Sequence, residues 1–516
     1  MKITTFSHFF SVTEFKRSGY ERVKKFAFQN FAEYDYRAFF MARKWGGGNQ
    51  AKPELKRIYA SYTDNKHEFR FHIHTLEKFT QYLDSEFITY EIENVSLFNF
   101  KKVEYEVAEW FTPRADQVPH IDYMVDEGTT KMLNLPPGAG KTASSLYSCA
   151  QMGGKIIISL ETRFFNIWKD ALLPGKKQVL KLQTEEVMFI QGSKDLKALI
   201  ELGIAGALEE VKVFVIASRT MGLFIEAYER ANGDLEGLYG CNPEDLHEVV
   251  DAPIKIKDEV HLGLHANFKE VVNTHTHKYI ALSGTLEDGS FRDTVFAILF
   301  PKNIRSPDSE FMKYIEVTAL MYTIKDMHKV RTSHRGMSDY SHNAFEQSIL
   351  KDKNLYKGYL EIVSIWLQSV YVDHRQKGMR AAIFVESIEL ATAIHTDLTK
   401  NFGDLTFGRY CASTGDKYKE AREADVLITT VKSFGTGFDM EDLYCAFMTN
   451  SIRSQNTNIQ VLFRLRQLKN FPGIFPKFYY LVCSDIPKHL EYHEEKKLQF
   501  SGKVKSHVTK FIGSNL

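Results

Sequence analysis

Gly138, Gly140, Lys141 and Thr142 stand in the order G-x-G-K-T, between the apolar run KMLNL and a stretch of small helix formers, ASSLYSCAQ. Glycines let successive backbone N–H groups turn toward an anion, and the start of a helix adds a positive field. A lysine in such a loop reaches the β- and γ-phosphates of a nucleotide, and a threonine hydroxyl suits magnesium. The segment Pro137, Gly138, Ala139, Gly140, Lys141, Thr142 and Ala143 is therefore a candidate cradle for ATP, with Thr142 as a magnesium ligand. The strict phosphate-loop pattern is not met, because its first glycine would fall at Leu135.

A second stretch, IKIKDEVHLGL, places Asp258 and Glu259 at the end of an apolar strand. Asp258 suits holding magnesium through its water shell, and Glu259 suits orienting and deprotonating an attacking water. Read alone, the pair is also what a solvated loop carries. It gains meaning from ALSGTL further on, where Ser283 and Thr285 again follow an apolar run. Three polar loops, each after a strand, are how a parallel sheet presents ligand contacts at its carboxyl edge.

The elements that must position these loops are legible in texture. Runs such as GGKIIISL, VKVFVIAS and HKYIALSG alternate with helical segments, and the same writing returns in RAAIFVES, READVLITT and KFYYLVCS. That predicts an α/β fold of two tandem parallel-sheet lobes. The first hundred residues, crowded with Phe, Tyr, Lys and Arg, read as a small α+β domain. The expected bounds are 1–105 for this nucleic-acid-binding domain, 106–310 for the first lobe and 311–355 for a connecting segment. The second lobe is expected over 356–500, with 501–516 as a loose tail.

At 516 residues the chain is too long for one core. With 66 basic and 65 acidic residues the formal net charge is +1, so any nucleic-acid partner must be held by local patches. The five cysteines lie far apart with no CxxC pair, which points to a reducing compartment, no disulfide framework and no structural metal. No run of signal-peptide character opens the chain, and no apolar run is long enough to span a bilayer, so a soluble cytoplasmic protein without a membrane partner is expected.

These residues resemble the superfamily 2 helicases and translocases. PPGAGKT looks like their motif I, DEVH their DEAH-like motif II, SGT at 283–285 their motif III, and TTVKSFGTGFD at 429–439 their motif V. PRADQ, with Arg114 and Gln117, is similar to the adenine-reading segment of relatives of the XPB type, and SLETRFFNIWKDAL, with Trp168, to motif Ia. LSGTLEDG and the aromatic N-terminal region ending in KWGGG look most like the phage recombination helicases of the UvsW type. The resemblance implies two RecA-like lobes whose cleft binds Mg-ATP, and a DNA helicase or translocase acting on forks, Holliday junctions or displacement loops. In a phage-encoded protein this would place it in the host cytoplasm. It gives Gly437 and Asp439 a nucleotide role, and His261, Ser283 and Thr285 a coupling role.

Motif VI departs from the family pattern. QVLFRLRQ has Gln460 and Arg464 in place, but Phe463 stands for a glycine and Gln467 for the last arginine, with Arg466 one residue early. Arg464 is the expected arginine finger; Arg466 either serves as the second or faces solvent. In a helical segment Arg464 shares a face with the residue three further on, and Arg466 points elsewhere unless the backbone bulges.

For the nucleic acid, Ser218, Arg219 and Thr220 match motif Ib, with Thr429 and Thr430 opening motif V. Arg37, Arg43, Lys44 and Trp45 combine phosphate contact with base stacking, although the surrounding Phe and Tyr residues also read as core. The motifs do not discriminate sugars, so an RNA helicase is an alternative, as is an interaction module with a degenerate ATPase.

Overall fold

Ile156–Leu160, Val213–Ala217 and Ile254–Lys257 are buried at every position, which is what a strand covered on both faces requires. In the computed structural model the described residues are 1–35, 53–63, 67–135, 138–284, 291–306, 313–333, 339–411, 418–434 and 440–515. They divide into two compact units, 1–135 with 139–309, and 310–516 with 136–138.

The first unit opens with β1 (Lys2–Thr5), β2 (Phe9–Thr13), β3 (Ala32–Asp35), β4 (Glu54–Ile58), β5 (Ser61–Thr63), β6 (Glu68–His72) and β7 (Glu91–Asn94). Five of them form a mixed sheet in the order β5-β6-β2-β1-β7, while β3 and β4 pair as a separate ribbon. Helices Arg17–Phe31 and Leu76–Ser85 complete this α+β part.

Next come β8 (Thr130–Asn134), β9 (Ile156–Leu160), β10 (Val187–Ile190), β11 (Val213–Ala217), β12 (Ile254–Lys257) and β13 (Lys278–Ser283). Their order is β10-β11-β9-β12-β13-β8, and every pairing is parallel. All six carboxyl ends therefore emerge along one edge. The strand before Ser283 lies between the strand of the glycine loop and that of the acidic pair.

The N-terminal aromatics are mostly core. Phe9, Phe10, Phe26, Phe71 and Phe79 are buried in one cluster with Val260, Phe268, Tyr279 and Phe296 of the parallel-sheet part. The two parts thus share one apolar cluster, beside two others that belong to the parallel-sheet part. A buried polar knot ties them as well. Arg70, on β6, donates to both oxygens of Glu244 at 3.1 and 2.8 Å, to Asn273 Oδ1 at 2.7 Å and to Tyr228 Oη at 2.6 Å, and pairs with Glu68 at 3.1 Å.

The second unit is a seven-stranded parallel sheet of β14 (Glu316–Thr323), β15 (Arg380–Val385), β16 (Phe407–Tyr410), β17 (Val426–Thr430), β18 (Leu443–Met448), β19 (Lys477–Cys483) and β20 (Ser506–Asn515). Its order is β16-β17-β15-β18-β19-β14-β20. The expected architecture, two tandem parallel-sheet lobes and a small N-terminal α+β part, is what the chain builds.

Two stretches differ from the sequence reading. Residues 311–355, expected to connect the lobes, supply β14, which pairs with β19 inside the second sheet. Residues 501–516, expected to be a loose tail, supply β20 at the sheet's edge. An edge strand faces solvent on one side, so Val508 and Phe511 stay exposed among polar neighbours, and the apolar run that marks a buried parallel strand is missing.

Candidate nucleotide site

β8 ends at Asn134, and the loop after it leads into helix Lys141–Met152. Gly140 is the N-cap residue of that helix, with φ 88° and ψ 28°, and Gly138 has φ 86°. Both lie in the left-handed region that glycine enters at little cost. A β-carbon on Gly140 would also sit 2.2 Å from Gln117 Nε2. Backbone and side chain can approach this closely only because the position is glycine. Arg114 Nη2 and Gln117 Nε2 each donate to Ala139 O at 3.1 Å, so the PRADQ segment braces the loop from behind. Arg114 is itself oriented by Asp116 at 2.9 Å. Lys141 Nζ donates to Leu135 O at 2.9 Å, which folds the cation back over the loop. Thr142 and Ala143 occupy the first turn of the helix, where N–H groups have no intrahelical partner.

β12 ends at Lys257, and Asp258 follows at the carboxyl edge. Its Oδ1 accepts the Glu259 N–H at 2.9 Å, and its Oδ2 accepts the indole N–H of Trp168 at 2.9 Å. Burial, reinforced by the neighbouring Glu259 charge, pushes the Asp258 carboxyl up to about 6, while the Trp168 hydrogen bond and the Lys141 charge pull it down. Glu259 has φ 48°, a conformation that costs a non-glycine residue about 1 kcal/mol or more. His261 Nδ1 lies 3.2 Å from Glu259 Oε2 and 2.9 Å from Ser283 Oγ, so a buried imidazole links the acid to the end of β13. The fold thus gathers Lys141, Asp258, Glu259, His261 and Ser283 on one sheet edge.

The donors fit magnesium. Asp258 and Thr142 offer hard oxygens, and magnesium is commonly held by one or two carboxylates together with substrate phosphates. A carboxylate raised by burial beside a second acid is also short of positive charge, which a dication supplies. Among the described residues no group of three or more His, Cys, Asp or Glu is arranged to hold a metal.

Several residues expected to meet nucleic acid are engaged inside the fold. Ser218 Oγ accepts from Lys257 Nζ at 2.9 Å. Thr220 is 2% exposed, and its hydroxyl accepts the Gly192 N–H at 2.7 Å. Thr429 donates to Tyr410 O at 2.6 Å, and Thr430 Oγ1 lies 2.8 Å from Ser433 Oγ, both within buried β17. In this structure the hydroxyls of Thr220, Thr429 and Thr430 thus serve local polar groups inside the fold. Of the motif Ib trio only Arg219 is exposed, near Glu226 at 3.2 Å. Arg37, Arg43, Lys44, Trp45, Pro137, Thr285, Gly437 and Asp439 lie outside the described residues.

In the second unit Gln460 sits on helix Gln455–Leu462, and a turn follows. Phe463, Leu465 and Leu468 are buried in the lobe's apolar core, whereas Arg464 and Arg466 are only partly buried and Gln467 is exposed. Phe463 fills part of that core. Beyond the helix Arg464 and Arg466 stand on either side of the buried Leu465 in the chain.

Sequence reasoning did not find the indole bond from Trp168 to Asp258, nor the role of Lys257. Lys257 had a signal: lysines at 255 and 257 interrupt a strand that is otherwise written as buried.

Fold and site together describe a tandem parallel-sheet α/β protein whose first sheet collects a glycine loop, an acidic pair and a serine along one edge. No family model and no curated protein matches the chain. Solved structures similar to it include T4 UvsW, at 12% identity and a TM-score of 0.32 over 99% of this chain and 99% of that one. They also include Mss116p bound to ssRNA and AMP-PNP, at 13% identity and a TM-score of 0.48 over 77% of this chain and 74% of that one. A third is the Mycobacterium smegmatis helicase Lhr bound to ssDNA and AMP-PNP, at 13% identity and a TM-score of 0.46 over 77% of this chain and 49% of that one. Identities and scores this low transfer no residue role.

Proposed function

We propose that the chain is an ATP-dependent DNA helicase or translocase that unwinds or remodels branched DNA. The observation that carries the nucleotide part is the meeting of Lys141, Asp258, Glu259 and the His261–Ser283 link on one sheet edge. Lys141 holds the β- and γ-phosphates, Arg114 and Gln117 hold the loop's shape, and Glu259 takes the proton of the water that attacks the γ-phosphorus as ADP departs. Asp258 and Thr142 would hold magnesium, which when bound neutralises charge on the phosphate oxygens. Pro137, Gly437 and Asp439 are assigned to the nucleotide and Thr285 to coupling by motif alone, as is the finger role of Arg464 and Arg466. The branched-DNA substrate rests on the resemblance of LSGTLEDG and the aromatic N-terminal region to phage recombination helicases. Backbone contact implies salt-sensitive binding with little sequence preference.

The test compares ATPase rates with single-stranded DNA, duplex, fork, four-way junction and RNA at fixed salt. DNA, and branched DNA most, is expected to stimulate; stimulation by RNA alone would overturn the DNA assignment. Lys141→Ala is expected to abolish hydrolysis, and Glu259→Gln to retain ATP binding while slowing hydrolysis by a factor on the order of 10² to 10⁴. Full activity in either variant would overturn the site.

A further inference from the structure

The residue just before the acidic pair is a lysine inside the protein. Lys257 is 3% exposed, and its ammonium donates to Ser159 Oγ at 2.8 Å, Ser218 Oγ at 2.9 Å and Glu270 Oε2 at 2.6 Å. Three donors thus meet three acceptors on three elements. Ser159 lies on β9, beside β12. Ser218 begins helix Ser218–Arg230, whose next residue is the exposed Arg219. Glu270 lies on helix Leu264–Val271 and holds Lys255 as well, at 3.0 Å. A second bond between the two helices, Lys269 to Glu229 at 2.7 Å, keeps them in register over β12.

Burying an ammonium is costly, and an apolar residue would pack a central parallel strand at lower cost. The charge therefore calls for a role that leucine or valine cannot fill. Lys257 and Asp258 are consecutive, so any shift of Ser218 that pulls on the ammonium moves the backbone carrying Asp258 and Glu259. Ser218 in turn moves with Arg219, the one exposed cation of its loop. We infer that Lys257 is a positioning residue that couples phosphate-backbone capture at the start of helix Ser218–Arg230 to the geometry of the Asp258–Glu259 pair. This rests on the function proposed above, and it makes nucleic-acid stimulation, rather than nucleotide binding, the property that depends on Lys257.

The experiment measures ATPase rates of the full chain with and without single-stranded DNA and a four-way junction, for wild type, Lys257→Met, Ser218→Ala and Ser218→Thr. Lys257→Met keeps the stem and leaves Glu270 its Lys255 partner, so no acid is stranded. Loss of a charged hydrogen bond of this kind is expected to cut the ratio of stimulated to unstimulated rate about tenfold or more in Lys257→Met. The KM for ATP should hold. Ser218→Ala should show the same loss of ratio, and Ser218→Thr, which keeps the oxygen, should restore it. If Lys257→Met does not fold, Ser218→Ala against Ser218→Thr decides by the same ratio. A wild-type ratio in both Lys257→Met and Ser218→Ala would overturn the inference, as would equal losses of both rates with a lowered thermal midpoint. Wild-type protein that no nucleic acid stimulates would overturn the proposed function and this inference with it. Stimulated wild type with unaffected variants overturns the coupling alone.

Discussion

Replacing Trp168 by phenylalanine tests how the acidic pair is tuned. Trp168 is fully buried on helix Phe165–Leu172, and its only polar atom, the indole N–H, donates to Asp258 Oδ2 at 2.9 Å. Phenylalanine keeps an aromatic ring in the core and removes that donor. A hydrogen bond to a charged group is worth about 1.5–3 kcal/mol, equivalent to about one to two pKa units. The Asp258 carboxyl, already pushed up to about 6 by burial and Glu259, would rise further in Trp168→Phe and be largely protonated at neutral pH. Magnesium must then displace a proton. The magnesium concentration giving half-maximal ATPase at pH 7 is expected to increase about twofold to tenfold, while kcat at saturating magnesium changes little. The sign follows from the proton competition: the deficit is largest at low pH and shrinks as pH rises past the new carboxyl value. Magnesium titrations at pH 7 and pH 8.5, with thermal melts to score the smaller ring, read all of this. An unchanged half-saturation at pH 7 in a folded Trp168→Phe protein would refute the claim that the indole sets the Asp258 charge.

Arg70→Met strands the buried carboxylates of Glu68 and Glu244 and is expected to destabilise the first unit by about 3–5 kcal/mol, read by chemical denaturation. Adding Glu68→Gln and Glu244→Gln should recover much of that loss, and recovery failing would mean the knot is not what holds the two parts. Burial alone pulls Lys496 in the second unit down to about 7 from 10.5, so the folded state binds fewer protons than the unfolded state between those values. Wild-type stability should therefore rise from pH 7 toward pH 10, a charge cost on the order of 4 kcal/mol being relieved, and Lys496→Met should flatten that rise in melts across the range. With Arg466 as the second finger, Arg466→Ala should lower kcat about tenfold to a hundredfold and Gln467→Arg should not raise it; little change in Arg466→Ala would refute that role. A mild Arg464→Ala phenotype would revive the degenerate-ATPase reading.

The sequence by itself determined what is local. A glycine loop between a strand and a helix, an acidic pair after a strand, and the alternation that makes parallel sheets depend on backbone freedom and periodicity over a few residues. Gly138, Gly140, Lys141, Asp258 and Glu259 were therefore legible before any fold was known. Tertiary structure alone decided the pairings. Trp168 meets Asp258 across 90 residues, and Arg70 meets Glu244 across 174, because strand order and a shared core bring them together. The same holds for the hydroxyls of Thr220, Thr429 and Thr430, whose neighbours in space, not their motif, set their hydrogen bonds. β20 was hidden for a related reason: an edge strand lacks the two-sided burial that writes an apolar run. Chain-local patterns record propensities and faces; which faces meet is fixed by packing the whole core, and that selection has no short-range signature.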